Sequence, residues 1–298
     1  MAPLASLRTS LAGSPIRTRF APSVTGHLHL GHVVNAVYVW GIARALKGEV
    51  ILRLEDHDRG RYRPEYEESI LEDLRWLGLE SDLPALSRQS DHPERYDAAA
   101  RRLTASALTF HCDCTRRMLA VVQGADQGET LRYPGTCRAK QLPEGPGRAL
   151  RLRIDPGPEP LTDLQLGPLT QDPATEVGDV VLRDGTGQWT YQHCVVVDDL
   201  AEGVTLVIRG EDLLGSTGRQ LRLARLLGRG TPPHYLHHPL VTDAQGRKLS
   251  KKEFAKSLGD LRREGWTPDR VLGEAAFLGG LRTSRGTLSS QELASLFP

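Results

Sequence analysis

Apolar residues along this chain recur at two spacings, and the switches between them lay out a series of elements. A short strand over residues 18–21 gives way to a turn at 22–26 and then to a helical pattern over 31–46, which Gly48 stops. Val50, Ile51 and Leu52 form an unbroken apolar run, as in a strand buried on both faces, and the run ends in Arg53, Glu55 and Asp56. Strand, helix and strand in that order open a right-handed βαβ unit. Residues 64–77 read as an amphipathic helix with Tyr66, Ile70, Leu74 and Leu77 on one side, and 93–110 read as another.

The pattern then changes. Residues 111–172 hold three cysteines, many prolines and glycines, and short alternating pieces such as 149–154, which suit a small inserted β-rich module. Sheet signals resume at 179–183, a turn at Gly185 and Gly187, and 188–197; residues 204–208 form a further buried strand ending at Arg209. A Leu-rich helix over 217–227, a strand over 238–242 and a turn at Gln245 and Gly246 lead to Arg247-Lys248-Leu249-Ser250-Lys251-Lys252, after which a small helical tail is expected. The expected division is a flexible N-terminus (1–16), an α/β domain in two parts (17–110 and 173–255) split by the module at 111–172, and a helical segment (256–298).

Composition narrows the function. Apolar residues make up 39% of the 298 and no stretch has the roughly 20 consecutive apolar residues of a membrane span. A net charge of +1 does not advertise a polyanion partner, although 38 lysines and arginines could cluster on one face. Residues 1–15 lack acidic side chains, as transit peptides do, but also lack a secretory apolar core, and are taken as a floppy cytoplasmic terminus. Four cysteines are too few for a disulfide scaffold and point to a reducing compartment, with a metal for the three that lie close together.

The chemistry concentrates in two places. At the first, His29 and His32 flank Leu30-Gly31 where a strand hands over to a helix N-terminus, a natural phosphate site because backbone N–H groups and the helix dipole favour anions. Gly31 is expected to leave room for adenine against the backbone. The second place is the lysine run, which alone reads as a solvated surface but on a loop after a glycine turn can bring Lys248 and Lys251 onto a pyrophosphate leaving group.

In this order the two motifs resemble the HIGH and KMSKS signatures of class I aminoacyl-tRNA synthetases. The wording of Arg19-Phe20-Ala21-Pro22-Ser23, Thr25 to His32, Leu54-Glu55-Asp56, Val197-Asp198-Asp199, Arg209-Gly210-Glu211-Asp212 and Lys248-Leu249-Ser250-Lys251 is similar to the catalytic core of glutamyl-tRNA synthetases over residues 17–255. The resemblance implies a Rossmann-like parallel sheet split by a small zinc-containing insertion. It implies glutamate held by Arg19, Phe20, Ala21, Pro22, Ser23, Glu55, Tyr191 and Arg209. His29, Gly31, His32 and Lys251 would bind ATP and its magnesium, with His29, His32, Lys248 and Lys251 serving catalysis. The physical logic agrees: an ammonium group needs an acid such as Glu55, and carboxylates need guanidiniums such as Arg19 and Arg209. Val24, where the family has proline, and Lys252, where it has Arg or Gln, depart from the pattern without removing a ligand.

Full-length members continue into a long helical anticodon reader, and the sequence runs only 46 residues past Lys252. The expectation is therefore no anticodon-binding domain, and a resemblance to the truncated glutamyl-Q tRNA(Asp) synthetases, which transfer activated glutamate to queuosine in the anticodon loop of tRNA(Asp). A truncated enzyme charging the acceptor end of tRNA(Glu), or a non-catalytic regulator, are the competing readings. Cys112, Cys114, Tyr133 and Cys137 resemble that branch's zinc site; three thiolates favour zinc, and His111 and Asp113 are alternative fourth ligands. Cys194, among valines, reads as a buried apolar residue. A cytoplasmic monomer is expected.

Overall fold

The computed structural model describes residues 15–82, 86–124, 131–241 and 256–298. Its first unit is a parallel sheet in the order β1 (Arg17–Phe20), β2 (Glu49–Leu54), β3 (Ser87–Arg88), with Arg17 opposite Glu49 and Phe20 opposite Leu52. Crossover helices α1 (Leu30–Ala45) and α2 (Pro64–Leu77) join successive strands, as parallel pairing requires. Apolar residues surround α1, so it is buried on most sides: from Val33 to Ala43 only Asn35 stays outside the buried class.

Helix α3 (Pro93–Ala105) ends earlier than the periodicity of 93–110 suggests. Ala107 takes a left-handed conformation (φ 55°), and the chain enters β4 (Thr109–Cys112), whose buried Phe110 and Cys112 alternate with less buried neighbours. After α4 (Arg116–Gln123) come β5 (Ala149–Leu152), β6 (Glu159–Asp163), β7 (Gly167–Gln171), the short α5 (Pro173–Glu176) and β8 (Val180–Arg183). Strands β4, β5 and β8 form an antiparallel sheet with a register irregularity between Leu150 and Arg151. The β6–β7 hairpin instead joins a sheet in the order β7-β6-β10-β9, made with β9 (Leu206–Gly210) and β10 (His234–His238).

Two expectations are corrected here. Of residues 188–197 only the start pairs back on β8, with Trp189 opposite Arg183, and α6 (Tyr191–Ala201) begins directly after Thr190. Its run from His193 to Asp199 is buried throughout, and a helix enclosed on all sides shows the same unbroken apolar signature as a buried strand. The strand placed at 238–242 is β10, four residues earlier, hidden in the sequence because its end is His237 and His238, buried polar residues.

The two parallel units are stitched side by side. The Thr205 amide donates to the Arg17 carbonyl (2.9 Å) and the Arg17 amide to Thr205 Oγ1 (2.9 Å). One core contains Phe20, Leu52 and Leu54 of the first sheet and Leu206, Ile208 and Leu236 of the second. Helix α7 (Thr217–Leu226) connects β9 to β10, and α8 (Leu258–Arg263), α9 (Pro268–Leu278) and a 3-10 turn at Ser290–Leu296 complete the C-terminal segment. Gly41 of α1 faces Phe297 so closely that any Cβ there would collide with the ring, which is how the C-terminus seats on this helix. No helix among the described residues is long and apolar enough to cross a membrane.

Candidate functional site

His29 caps α1 from an extended backbone (φ −137°, ψ 173°). Its Nδ1 accepts the Gly31 amide at 3.1 Å, while His32 Nδ1 accepts the His29 amide at 3.1 Å. Each neutral ring therefore carries its hydrogen on Nε2. The ring centroids are 3.9 Å apart. Burial lowers the pKa of both, and burial plus the neighbouring His29 takes His32 down to about 3, so the pair is uncharged at neutral pH. With no acidic residue in the first turn, this end of α1 offers neutral N–H donors and the positive end of a helix dipole, the features a polyphosphate needs.

Gly31 lies against the capping imidazole. A Cβ there would lie 3.0 Å from the His29 ring, so its missing side chain makes room for that imidazole. The chain also returns here after residue 255: Ser257 bridges His29, and the Leu258 amide donates to the Leu28 carbonyl at 2.9 Å. Lys248 and Lys251 themselves lie outside the described residues.

The ends of β1 and β2 meet at Glu55. Its amide donates to the Pro22 carbonyl (3.0 Å), and its carbonyl accepts the Val24 amide (3.2 Å), a bond that proline at position 24 could not make. The Glu55 carboxyl is buried, and no hydrogen bond to it forms among the described residues. Burial raises its pKa to about 7; Arg53 and Arg19 oppose the rise, Asp198 and Asp199 add to it. Tyr191 opens α6 within the field of Glu55, Arg209, Arg19 and Asp199, and burial raises its phenol pKa. Ser23 is exposed and pairs with Thr25 (3.2 Å), Ala21 is half-buried and Pro22 buried. Phe20 sends its side chain into the core against Trp40 (5.2 Å), which leaves only its backbone for a ligand.

The arginines divide into two kinds. Arg19 donates from Nε to Asp199 (3.2 Å), and fully buried Arg53 donates to Asp199 (2.7 Å) and Glu202 (2.9 Å). Arg209, equally buried, has only neutral acceptors: His237 Nε2 at 3.0 Å, Gln220 Oε1 at 2.7 Å and Thr217 Oγ1 at 2.8 Å. Its charge has no anionic partner among the described residues.

A third cluster lies in the β4–β5–β8 unit. The sulfurs of Cys112, Cys114 and Cys137 all lie within 4.8 Å of one another, with Cys114 and Cys137 at 3.6 Å. A tetrahedral ion with Zn–S bonds near 2.3 Å would space sulfurs about 3.8 Å apart, so the cluster fits one with little rearrangement. Tyr133 Oη lies 3.5 Å from Cys112 Sγ and accepts the Cys137 amide at 2.8 Å; Asp113 Oδ1 lies 3.1 Å from Cys137 Sγ. His111 alternates with Cys112 along β4 and so faces away from it. Burial pushes the Cys114 thiol up to about 12, as expected where sulfurs crowd without a cation. Cys194 is fully buried within a separate apolar cluster, away from this group.

Residues 15–295 match the family described as tRNA synthetases class I (E and Q), catalytic domain. The chain belongs to that family. A glutamyl-Q tRNA(Asp) synthetase of Xanthomonas campestris is 44% identical over 271 residues, 89% of this chain and 86% of its own length. One from Burkholderia mallei is 46% identical over 247 residues (81% and 82%), and one from Rhodobacter capsulatus 42% over 269 (84% and 96%). Among solved structures, a glutamate tRNA ligase from Elizabethkingia meningosepticum in complex with its amino acid superposes with a TM-score of 0.80 at 27% identity. The match covers 96% of this chain but only 65% of that ligase. This synthetase is thus a ligase of the class I fold.

Sequence reasoning missed the groups that hold the synthetase's arginines. Arg53 carries a signal that could have been read, a single arginine between Leu52 and Leu54 in a strand that is buried from Val50 onward. Gln220 and Thr217 on α7 and His237 on β10 carry none, because they acquire a role only when β9, α7 and β10 are folded together.

Proposed function

We propose that this synthetase activates L-glutamate with ATP and transfers the glutamyl group to queuosine in the anticodon loop of tRNA(Asp). The observation that carries the first half is a pair of groups that lack an oppositely charged hydrogen-bond partner among the described residues: the carboxyl of Glu55, which accepts no hydrogen bond there, and the guanidinium of Arg209, which donates only to neutral acceptors. Leaving buried ionisable groups uncompensated is costly, and a zwitterionic amino acid with an acidic side chain supplies both missing charges. Glu55 takes the ammonium group, Arg209 the side-chain carboxylate, and Tyr191 and Arg19 complete the pocket.

The substrate's α-carboxylate attacks the α-phosphorus of ATP, forming the mixed anhydride and releasing pyrophosphate. His29 and His32 donate to the phosphates, which arrive with magnesium, and Lys248 and Lys251 neutralise the leaving group. A hydroxyl of queuosine then attacks the glutamyl carbonyl and loses its proton, the ester forms, and AMP departs. Support for queuosine as acceptor comes from the relatives' names and the extent of their shared length. Cys112, Cys114 and Cys137, with Tyr133, would hold a structural zinc in the module at 111–172. Action in the cytoplasm as a monomer belongs to the same proposal.

The test is transfer of radiolabelled glutamate to tRNA from cells that make queuosine and from cells that do not, with nuclease fragments separated afterwards. Label confined to the anticodon fragment of queuosine-containing tRNA is the expected result. Label at the 3′ end of both pools would replace this reading with acceptor-end charging.

A further inference from the structure

Asp163 closes β6 and is almost completely buried. Its Oδ1 accepts the amides of Gln165 and Leu166, both at 2.9 Å, and its Oδ2 accepts the His237 amide at 3.1 Å and lies 2.7 Å from His237 Nδ1. An ionised carboxylate can accept all of these bonds, so Nδ1 of His237 is the donor in the last one. On its other side, His237 Nε2 lies 3.0 Å from Arg209 Nε, a group that can only donate. Both neighbours therefore select one tautomer, hydrogen on Nδ1 and a lone pair on Nε2, and the Thr217 hydroxyl 3.2 Å from Nε2 is compatible with it, since it accepts from Arg209 Nη2 and can donate to the ring. The desolvated site also disfavours the imidazolium.

Thr217 and Gln220 hold the two Nη atoms, and Gln220 passes its own amide hydrogen to Gln192 Oε1 at 2.9 Å, next to Tyr191. Three of the five guanidinium N–H groups are thereby fixed, and two remain for a ligand. This arrangement contrasts with Arg19 and Arg53, whose direct carboxylate partners neutralise them.

We propose that Asp163 and His237 are positioning residues of the amino-acid site, orienting Arg209 through a neutral imidazole so that its direction is fixed while its charge stays available for the substrate's side-chain carboxylate. The inference rests on the reading that Arg209 receives that carboxylate. It makes the pair a determinant of glutamate over glutamine, since an arginine already neutralised by a carboxylate would gain less from an anionic ligand than from a neutral amide.

Asp163→Asn tests it. Asparagine can keep its oxygen on the turn amides of 165 and 166, but its NH2 then loses the bond from the His237 amide and donates to His237 Nδ1. The imidazole hydrogen moves to Nε2, against Arg209 Nε–H, the same tautomer reversal that disables a serine-protease histidine when its aspartate becomes asparagine. In glutamate-dependent ATP–pyrophosphate exchange, the KM for glutamate should rise about tenfold or more while the KM for ATP holds, and discrimination against glutamine should fall. An unchanged glutamate KM, or an equal rise for ATP, overturns the proposal.

His237→Gln, which can offer an amide oxygen to Arg209, should keep the glutamate KM closer to wild type than His237→Phe; equal losses in both overturn it as well. Nitrogen-15 shifts of His237 in the unaltered protein give an answer independent of substrate: hydrogen on Nδ1 supports the relay and hydrogen on Nε2 refutes it. Should the wild-type protein show no glutamate-dependent exchange, the functional reading fails, and the imidazole shifts still report on the relay.

Discussion

Glu55 lies in the field of two buried arginines, yet its carboxyl group keeps its proton up to about pH 7. Burial is the largest influence on it and outweighs Arg53 and Arg19, whose effect Asp198 and Asp199 partly offset. The folded protein thus holds more protons than the unfolded chain between the ordinary value of 4.5 and about 7, so this group's contribution to stability falls as pH rises through that window. Glutamate reverses the preference, because its ammonium group favours the ionised form. Binding should tighten as pH rises toward and past 7 and should release a proton from Glu55 at about pH 6. Calorimetry in buffers of different ionisation enthalpy measures this directly; identical binding enthalpies in every buffer would show that Glu55 is already ionised. That an acid stands at this strand end was legible in the chain. Its protonation was not, since it depends first on burial in the folded protein and then on the arginines and aspartates around it, two of them more than 140 residues away in sequence.

At the scale of elements, the module around the cysteines shows how little apolar packing some parts of this fold possess. Its cluster contains Phe110, Cys112, Leu119, Tyr133 and Cys137, and Met118, Val121 and Val122 of α4 are largely exposed. Tyr133 reaches the cluster because Gly178, with φ of 72°, lets the Tyr133 carbonyl approach where any Cβ would collide. A unit this thin would gain much of its stability from a metal held by the three cysteines. Elemental analysis should find about one zinc per chain. Cys112→Ser should lose most of that zinc and melt at a lower temperature, and full metal retention would remove Cys112 from the ligand set. The cysteine spacing announced this cluster in advance, whereas α6 was misread as strand because enclosure, not periodicity, determines the character of a run such as Cys194 to Val197.

Across the whole molecule, the two halves of the parallel architecture are joined by more than adjacent strands. Arg53 of β2 reaches Asp199 of α6 and Glu202 at its C-cap, and Arg19 of β1 shares Asp199, so buried charge bridges the halves beneath the proposed glutamate pocket. Removing one partner leaves the others uncompensated, and Arg53→Ala should destabilise the protein by about 3–5 kcal/mol in urea unfolding. A loss below about 1 kcal/mol would mean that these charges behave as a surface pair. The sequence by itself determined the first βαβ unit, the helix N-terminus with its two histidines, the acid and arginines at strand ends and the sulfur cluster, because each rests on local spacing and on the strong preferences of neighbouring residues. Only the tertiary structure decided which arginine has only neutral partners among the described residues, which ring nitrogens of His29 and His32 meet backbone amides, and that the β6–β7 hairpin completes the sheet beside β10. Those outcomes are set by burial, charge and contacts that arise only in the folded chain, and no local pattern encodes them.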